Sequence, residues 1–253
     1  MTMLVVISPA KKLNETAETT LPITEPTFAP RAEALAEEAA KLTADDLAKL
    51  MHLSDSLAKL NYDRFQNWDG LSLAPAALMF NGDTYSGLEA TSLEADAMQW
   101  AGGHLRILSG LYGLLRPLDA IKPYRLEMGT RFVTPQGKNL YEYWGSAIAE
   151  QLNTEAEAAG ADSLVNCASQ EYFGAVDLKA LKPRVITPIF YEDKPQGPKI
   201  VSFYAKKARG AMARFIVENR LKDADALTAF DTGGYAYAPE LSAPDKPAFL
   251  RAG

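Results

Sequence analysis

Cysteine is nearly missing from this chain. A single residue, Cys167, excludes an internal disulfide framework and fits a reducing compartment. Histidine is almost as scarce: His52 and His104 stand far apart, and with one cysteine they match no zinc or iron site of recognisable spacing. No apolar run approaches the roughly 20 residues that span a bilayer. The opening stretch "MTMLVVISPAKK" has no basic residue ahead of its short apolar run, so it does not read as a signal peptide. Gly-x-Ser-x-Gly, dinucleotide and P-loop signatures are absent too. Nor is there an excess of positive charge. The formal net charge is −6, which excludes a uniformly basic nucleic-acid coat. From these absences we expect a cytoplasmic protein with no membrane contact, no metal site and no cofactor.

What is present suffices for a folded body. The 253 residues are 47% hydrophobic, enough for one large core or two modest ones. Short apolar runs bounded by turn residues predict strands over 4–8, 76–80, 105–109, 163–167, 184–190 and 199–204. Helical patterns cover 92–100, 140–158, 170–181 and 205–221, while 14–30 reads as a surface loop and the stretch from Gly233 onward as irregular. Residues 31–68 are helical throughout, with one interruption at 51–54. The expected fold class is mixed α/β (α+β). It is a single compact domain over 1–253, with a mixed central sheet, flanking helices and a helical-hairpin lobe at 31–68.

The basic residues are concentrated. Between Lys199 and Lys222 seven cations oppose Glu218, a local balance of +6. Between His104 and Arg131 five cations oppose Asp119 and Glu127, a balance of +3, which leaves −15 for the rest. An acidic body with basic segments is what a focused positive cleft requires. In "FYAKKARGAMARF" (203–215) the lysines read as standing in the first turn of a helix, against its dipole. Ala208, Ala211, Met212, Phe215 and Ile216 form its apolar stripe. Lys206, Lys207, Arg209 and Arg214 lie opposite, with Gly210 leaving room for another backbone. Free N–H groups at the helix start would add donors to an anion site there. A solvated charged face is the plainer reading of the same cations.

Three further stretches can carry chemistry. "LAKLMHLSDSLAKLN" (47–61) is a leucine-spaced helical pair with Ser54 as N-cap of the second helix. It resembles the helix-hairpin-helix element that holds backbone phosphate, although His52 and Ser54 replace its two turn glycines. Two packed amphipathic helices are the simpler alternative. In 104–131, Arg116 and Arg125 suit bidentate phosphate or carboxylate binding, and Tyr112 and Tyr124 could stack on a base. Internal pairing of those arginines with Asp119 and Glu127 competes with that role. Loops after strands place Lys11, Lys12, Asp83 and Glu171 where ligands collect. Asp83 reads equally as a turn-stabilising residue, and Cys167 as a small buried one.

Taken in order, "ISPAKKL", "GDTYSGL", "HLRILSGLYGLLRPLDAIKPYRLEMG", "LYEYWG", "ASQEYF" and "SFYAKKARGAMARFIVENRL" resemble the peroxide-stress protein YaaA family across nearly the whole chain. The resemblance implies a bacterial cytoplasmic protein induced by hydrogen peroxide and associated with lower free iron and less oxidative damage. It also implies an unusual mixed topology, a positively charged cleft and DNA binding through a helix-hairpin-helix element. Lys11, Arg106, Arg116, Arg125, Lys206, Lys207 and Arg209 match positions of those motifs.

Two readings of function follow. In the first, a monomer grips the backbone phosphates of duplex or branched DNA with weak sequence preference, through Lys11, Arg106, Arg116, Arg125, Lys206, Lys207, Arg209, Arg214 and Ser54. Its effect on iron is then indirect. In the second, an enzyme acts on a nucleotide, nucleobase or other small anionic ligand in a cleft at the strand ends. Asp83, Glu127 and Glu171 are its candidate catalytic carboxylates.

Overall fold

Strand β1 (Thr2–Ile7) is apolar without alternation, and the computed structural model, which describes residues 2–252, buries it in the core. Such runs are characteristic of strands covered on both faces. After a long loop come α1 (Ala29–Ala40), α2 (Ala44–Met51) and α3 (Asp55–Gln66). Thr43 opens α2 with a capping box, accepting from the Asp46 N–H while the Asp46 carboxylate accepts from its own N–H. The helical region therefore breaks twice, at 41–43 as well as at 52–54. The short strand β2 (Ala74–Pro75) leads into two one-turn helices, α4 (Ala76–Met79) and α5 (Tyr85–Leu88), and then α6 (Ala95–His104). Strands β3 (Leu105–Ser109), β4 (Gly113–Leu115) and β5 (Ala120–Ile121) follow. Helices α7 (Leu140–Trp144) and α8 (Ala147–Ala159) carry the chain to β6 (Ala161–Cys167). Then come α9 (Gln170–Phe173), β7 (Arg184–Ile186), β8 (Ile189–Glu192) and α10 (Ser202–Asn219). Strands β9 (Tyr235–Tyr237) and β10 (Ala248–Arg251) end the order.

The main sheet runs β4-β3-β1-β6-β7, beside a three-stranded sheet β8-β10-β9 and the pair β2-β5. Strand β1 pairs in parallel with β3 and β6, β6 pairs in parallel with β7, and β4 returns antiparallel to β3. The carboxyl ends of β1, β3 and β6 consequently share one edge. The chain leaves β1 toward β3 but leaves β6 toward β7. That reversal is a topological switch point, where an open parallel sheet has its ligand crevice. Among the described residues no helix is long and apolar enough to cross a membrane.

The mixed α/β class is as expected, and several elements within it differ. Residues 76–79 form the helix α4 rather than a strand, because Ala-Ala-Leu-Met is helix-prone and Pro75 serves as its N-cap residue, and Phe80 makes only an isolated bridge to Leu13. The run 184–190 is divided at Pro188 between two sheets. The pattern at 140–158 breaks at Gly145, whose φ is 51°, and the one at 170–181 stops after Phe173, at Gly174. Within the stretch from Gly233 onward, β9 and β10 build the second sheet. Most important for function, 199–204 is not a strand: α10 already begins at Ser202. Ile200 and Phe203 stay 56% and 54% exposed, so no second layer covers a strand there. Lys206 and Lys207 therefore lie in the second turn of α10, with their N–H groups beyond the four that a helix start leaves free.

Helix α10 packs on α5 at very close range. A Cβ on Gly210 would lie 1.7 Å from the Thr84 carbonyl oxygen, and one on Gly87 would lie 2.0 Å from that of Lys207. The backbone that Gly210 admits is the protein's own. This contact clamps the loop 81–84 against α10 and sets one wall of the cleft.

Candidate phosphate-binding cleft

The loops after β1 and β6 meet at the switch point. The Ser169 N–H donates to Ser8 Oγ at 2.9 Å, and the Ser8 hydroxyl donates to Ser169 Oγ at 3.4 Å. Tyr85 of α5 donates its hydroxyl to the Ser8 carbonyl at 3.2 Å, tying α5 to the same loop. Around this junction lies a cavity of about 420 Å³. Lys11 and Lys12 enter it from the β1 loop, Asn81 and Asp83 from the loop before α5, Glu171 from α9, and Lys206 and Arg209 from α10.

A second, more open groove of about 790 Å³ adjoins it, sharing Lys11, Glu127 and Glu171 as a common wall. One side of this groove is the α2–α3 turn, with Lys49 and His52. The other is the segment carrying Arg125, Gly129 and Arg131. His52 is in the left-handed backbone region, φ 52° and ψ 49°, the conformation a glycine adopts at least cost. Ser54 holds the N-cap position of α3, but its side chain caps nothing. It lies 3.2 Å from the Ser56 hydroxyl and outside the groove wall.

The charged groups on the common wall are paired. Glu127 accepts from Lys11 at 2.7 Å and from Arg125 at 2.8 Å. Burial opposes ionisation of Glu127, and the two cations outweigh it, so its carboxyl is held below the usual value. Glu127 is thus an ionised counter-charge in this arrangement, not a proton donor near neutral pH. It follows that Glu127 stabilises the folded state above the ordinary 4.5 and that this contribution is lost as the pH falls through its lowered folded value. We expect the melting-temperature gap between the wild type and Glu127→Gln to be complete at pH 7 and to close in strong acid. A gap that persists unchanged in acid would contradict the pairing.

Arg209 differs from its neighbours. Its side chain is half-buried in the cavity wall, and that burial lowers its pKa. Among the described residues it has neither an ion-pair nor a hydrogen-bond partner, whereas Lys206 Nζ lies 4.0 Å from the Asp83 carboxylate. Glu171 accepts from the Gly129 N–H at 2.9 Å, linking the two cavities across the chain. Cys167 lines the same wall, but burial pushes its thiol up to about 12, so it is protonated at neutral pH. Among the described residues no group of three or more His, Cys, Asp or Glu side chains is placed to hold a metal ion.

Of the residues singled out in the sequence, the structure gathers Lys11, Arg125, Lys206 and Arg209 with the carboxylates of Asp83, Glu127 and Glu171. Lys207 is exposed on α10 outside both walls. Three arginines lie elsewhere. Arg106 is 2% exposed, pairs with Glu155 and donates to the carbonyls of Gly102 and Leu105. Arg116 donates to Thr27 Oγ1 at 3.3 Å and faces Glu155, in a different surface cavity. Arg214 donates to the carbonyls of Leu88 and Glu89 and pairs with Glu218, closing the C-terminal end of α5. Tyr112 and Tyr124 are core residues, with Tyr124 bonded to Ser109 at 2.6 Å, so neither offers a face to a base. Lys49 and Arg131 were not singled out in the sequence as site residues. Lys49 stands three residues before His52 in the last turn of α2, and that position next to the hairpin turn was the available signal.

Comparison with known proteins adds to this geometry. A family model described as peroxide stress protein YaaA matches residues 3–241. The chain is 63% identical to a UPF0246 protein of Roseobacter denitrificans, with 98% of each chain covered. It is 62% identical to one of Ruegeria pomeroyi, again over 98% of each, and 60% identical to one of a Jannaschia species, over 98% of this chain and 97% of that one.

Proposed function

This chain belongs to the peroxide stress protein YaaA family, and from that premise we propose that it serves the oxidative-stress response by gripping DNA backbone phosphates in the groove beside the α2–α3 turn. One observation carries the reading. In a chain of net charge −6, Lys11, Lys49, Arg125 and Arg131 line the outer groove, and Lys12, Lys206 and Arg209 line the adjoining cavity. Only Asp83, Glu127 and Glu171 oppose them. Seven cations against three carboxylates give a positive trough on an acidic body, which draws in a polyanion and keeps it from the remaining surface. The left-handed turn at His52 supports a helix-hairpin-helix role for α2 and α3, because a glycine-like backbone conformation stands at the groove wall. The residues assigned to the grip are cations suited to phosphate, so the proposal includes weak sequence preference. Protection from iron-linked damage then follows from occupancy of the DNA and is indirect.

The reading is tested by fluorescence anisotropy with duplexes of unrelated sequence over a range of salt. Affinity should be similar across sequences and fall with log salt at a slope of about −0.9 per phosphate neutralised. Salt-independent binding, or binding to one sequence only, would overturn it.

A further inference from the structure

The outer groove does not account for Arg209. A half-buried guanidinium that faces a cavity and has no protein acceptor keeps its planar fork of donors free for a ligand anion. Arg209 is half-buried in the wall of the inner cavity, and among the described residues nothing accepts from it. Lys206, one turn earlier on α10, reaches the same space from the side of Asp83. The rest of the lining is different in kind. It presents Asp83, Asn81 and Glu171, which accept hydrogen bonds, beside the apolar surfaces of Pro9, Ala10 and Tyr172. At about 420 Å³ the cavity lies within the roughly 300–1,000 Å³ range of small-molecule sites. It sits at the switch point of the parallel sheet, where such sites occur.

We propose that this inner cavity is a small-molecule site for a phosphomonoester with a polar, hydrogen-bond-donating body, a nucleoside monophosphate in chemical class, with Arg209 anchoring the phosphate. A dianionic phosphate supplies the planar guanidinium with the two acceptors it lacks, and Lys206 adds a point charge. Asp83 and Glu171 accept from sugar hydroxyls or an exocyclic amine, while Tyr172 and Pro9 cover an apolar face. A bare phosphate would leave the acceptor wall unused. A nucleoside would leave Arg209 unpaired. The site adjoins the DNA groove and shares Lys11, Glu127 and Glu171 with it, but Lys49 and Arg131 line the groove alone. Two sources could supply this chemistry: a free mononucleotide, or the phosphorylated 5′ end of a DNA strand.

The experiment is calorimetric titration of the full chain with AMP, GMP, CMP and UMP, with the matching nucleosides, and with inorganic phosphate. Hairpin oligonucleotides with and without a 5′ phosphate form the second arm. At least one mononucleotide should bind at least tenfold more tightly than its nucleoside and than inorganic phosphate. Arg209→Lys should lose about 10- to 100-fold, the scale of a lost charge-assisted bidentate contact. The exposed Lys206→Ala, whose fold is not at issue, should lose severalfold. Lys49→Ala should leave mononucleotide affinity unchanged. Mononucleotide binding that depends on Arg209 supports the free source. A 5′-phosphate preference that depends on Arg209, without mononucleotide binding, supports the site with a strand end as its ligand. If neither arm responds to the phosphate, or if folded Arg209→Lys and Lys206→Ala bind as the wild type does, the site assignment is overturned. Failure here with an intact salt slope for duplex DNA would leave the outer groove standing.

Discussion

Gly210→Ala should lower the unfolding free energy by about 3 kcal/mol, at the top of the usual overpacking range, and the melting temperature by roughly 6–12 °C. The added methyl would meet the Thr84 carbonyl oxygen at 1.7 Å, and no rotamer can relieve a backbone clash. Relief requires α5 to move away from α10. The loop carrying Asn81 and Asp83 would move with it, so the inner cavity widens as stability falls. Gly87→Ala forces the same displacement from the other side. The two substitutions together should therefore cost less than the sum of their separate costs, as coupled neighbours do. Additive losses, or a fully stable Gly210→Ala, would show that α5 can shift freely and that it does not define the cleft.

Arg106→Ala should be comparably damaging, costing about 3 kcal/mol, because it removes the buried partner of the Glu155 carboxylate and leaves it only Gln151 and the more distant Arg116. Burial brings the Arg106 pKa down to about 10, and its Nε is buried without a hydrogen-bond partner. The pair is thus expensive even when intact. Replacing both members, as Arg106→Met with Glu155→Leu, should recover most of the loss. Differential scanning fluorimetry of the two single variants and the double variant checks this. A single variant within a degree of the wild type would mean that the pair does not support the fold. Under conditions where Arg106→Ala remains folded, its DNA affinity and salt slope should be those of the wild type, because Arg106 faces Glu155 and not the cleft.

Arg106 also shows where sequence reasoning succeeds and where it stops. Strands β1, β3 and β6 were legible because strands buried on both faces are written as unbroken apolar runs. The apolar stripe of α10 was legible for a similar reason, with Ala208, Ala211, Met212 and Ile216 all buried. The start of α10 was not. Ile-Val-Ser-Phe-Tyr has strong β propensity, and only the absence of a covering layer at Ile200 and Phe203 decides against it. Charge density along the chain located basic segments but could not say which cations were already paired. Arg106 meets Glu155 from 49 residues away, and Arg214 is occupied by carbonyls of α5. The converse also held: Lys49 and Arg131 lie in unrelated segments and converge only because the fold sets the end of α2 and the 125–131 segment along one groove. Four cations of the cleft were legible as motif residues; their convergence was a matter of topology.

The central claim is that the cations lining the groove, and not basic residues in general, hold DNA phosphate. The most direct test compares two double variants of equal charge change, Lys49→Ala with Arg131→Ala in the groove and Arg116→Ala with Arg214→Ala outside it. The dependence of duplex affinity on log salt is measured for each. The groove variant should bind more weakly, with a slope shallower by about 2, one for each phosphate contact removed. The other should keep the wild-type slope. A groove variant with an unchanged slope, or two variants that flatten it equally, would contradict the account.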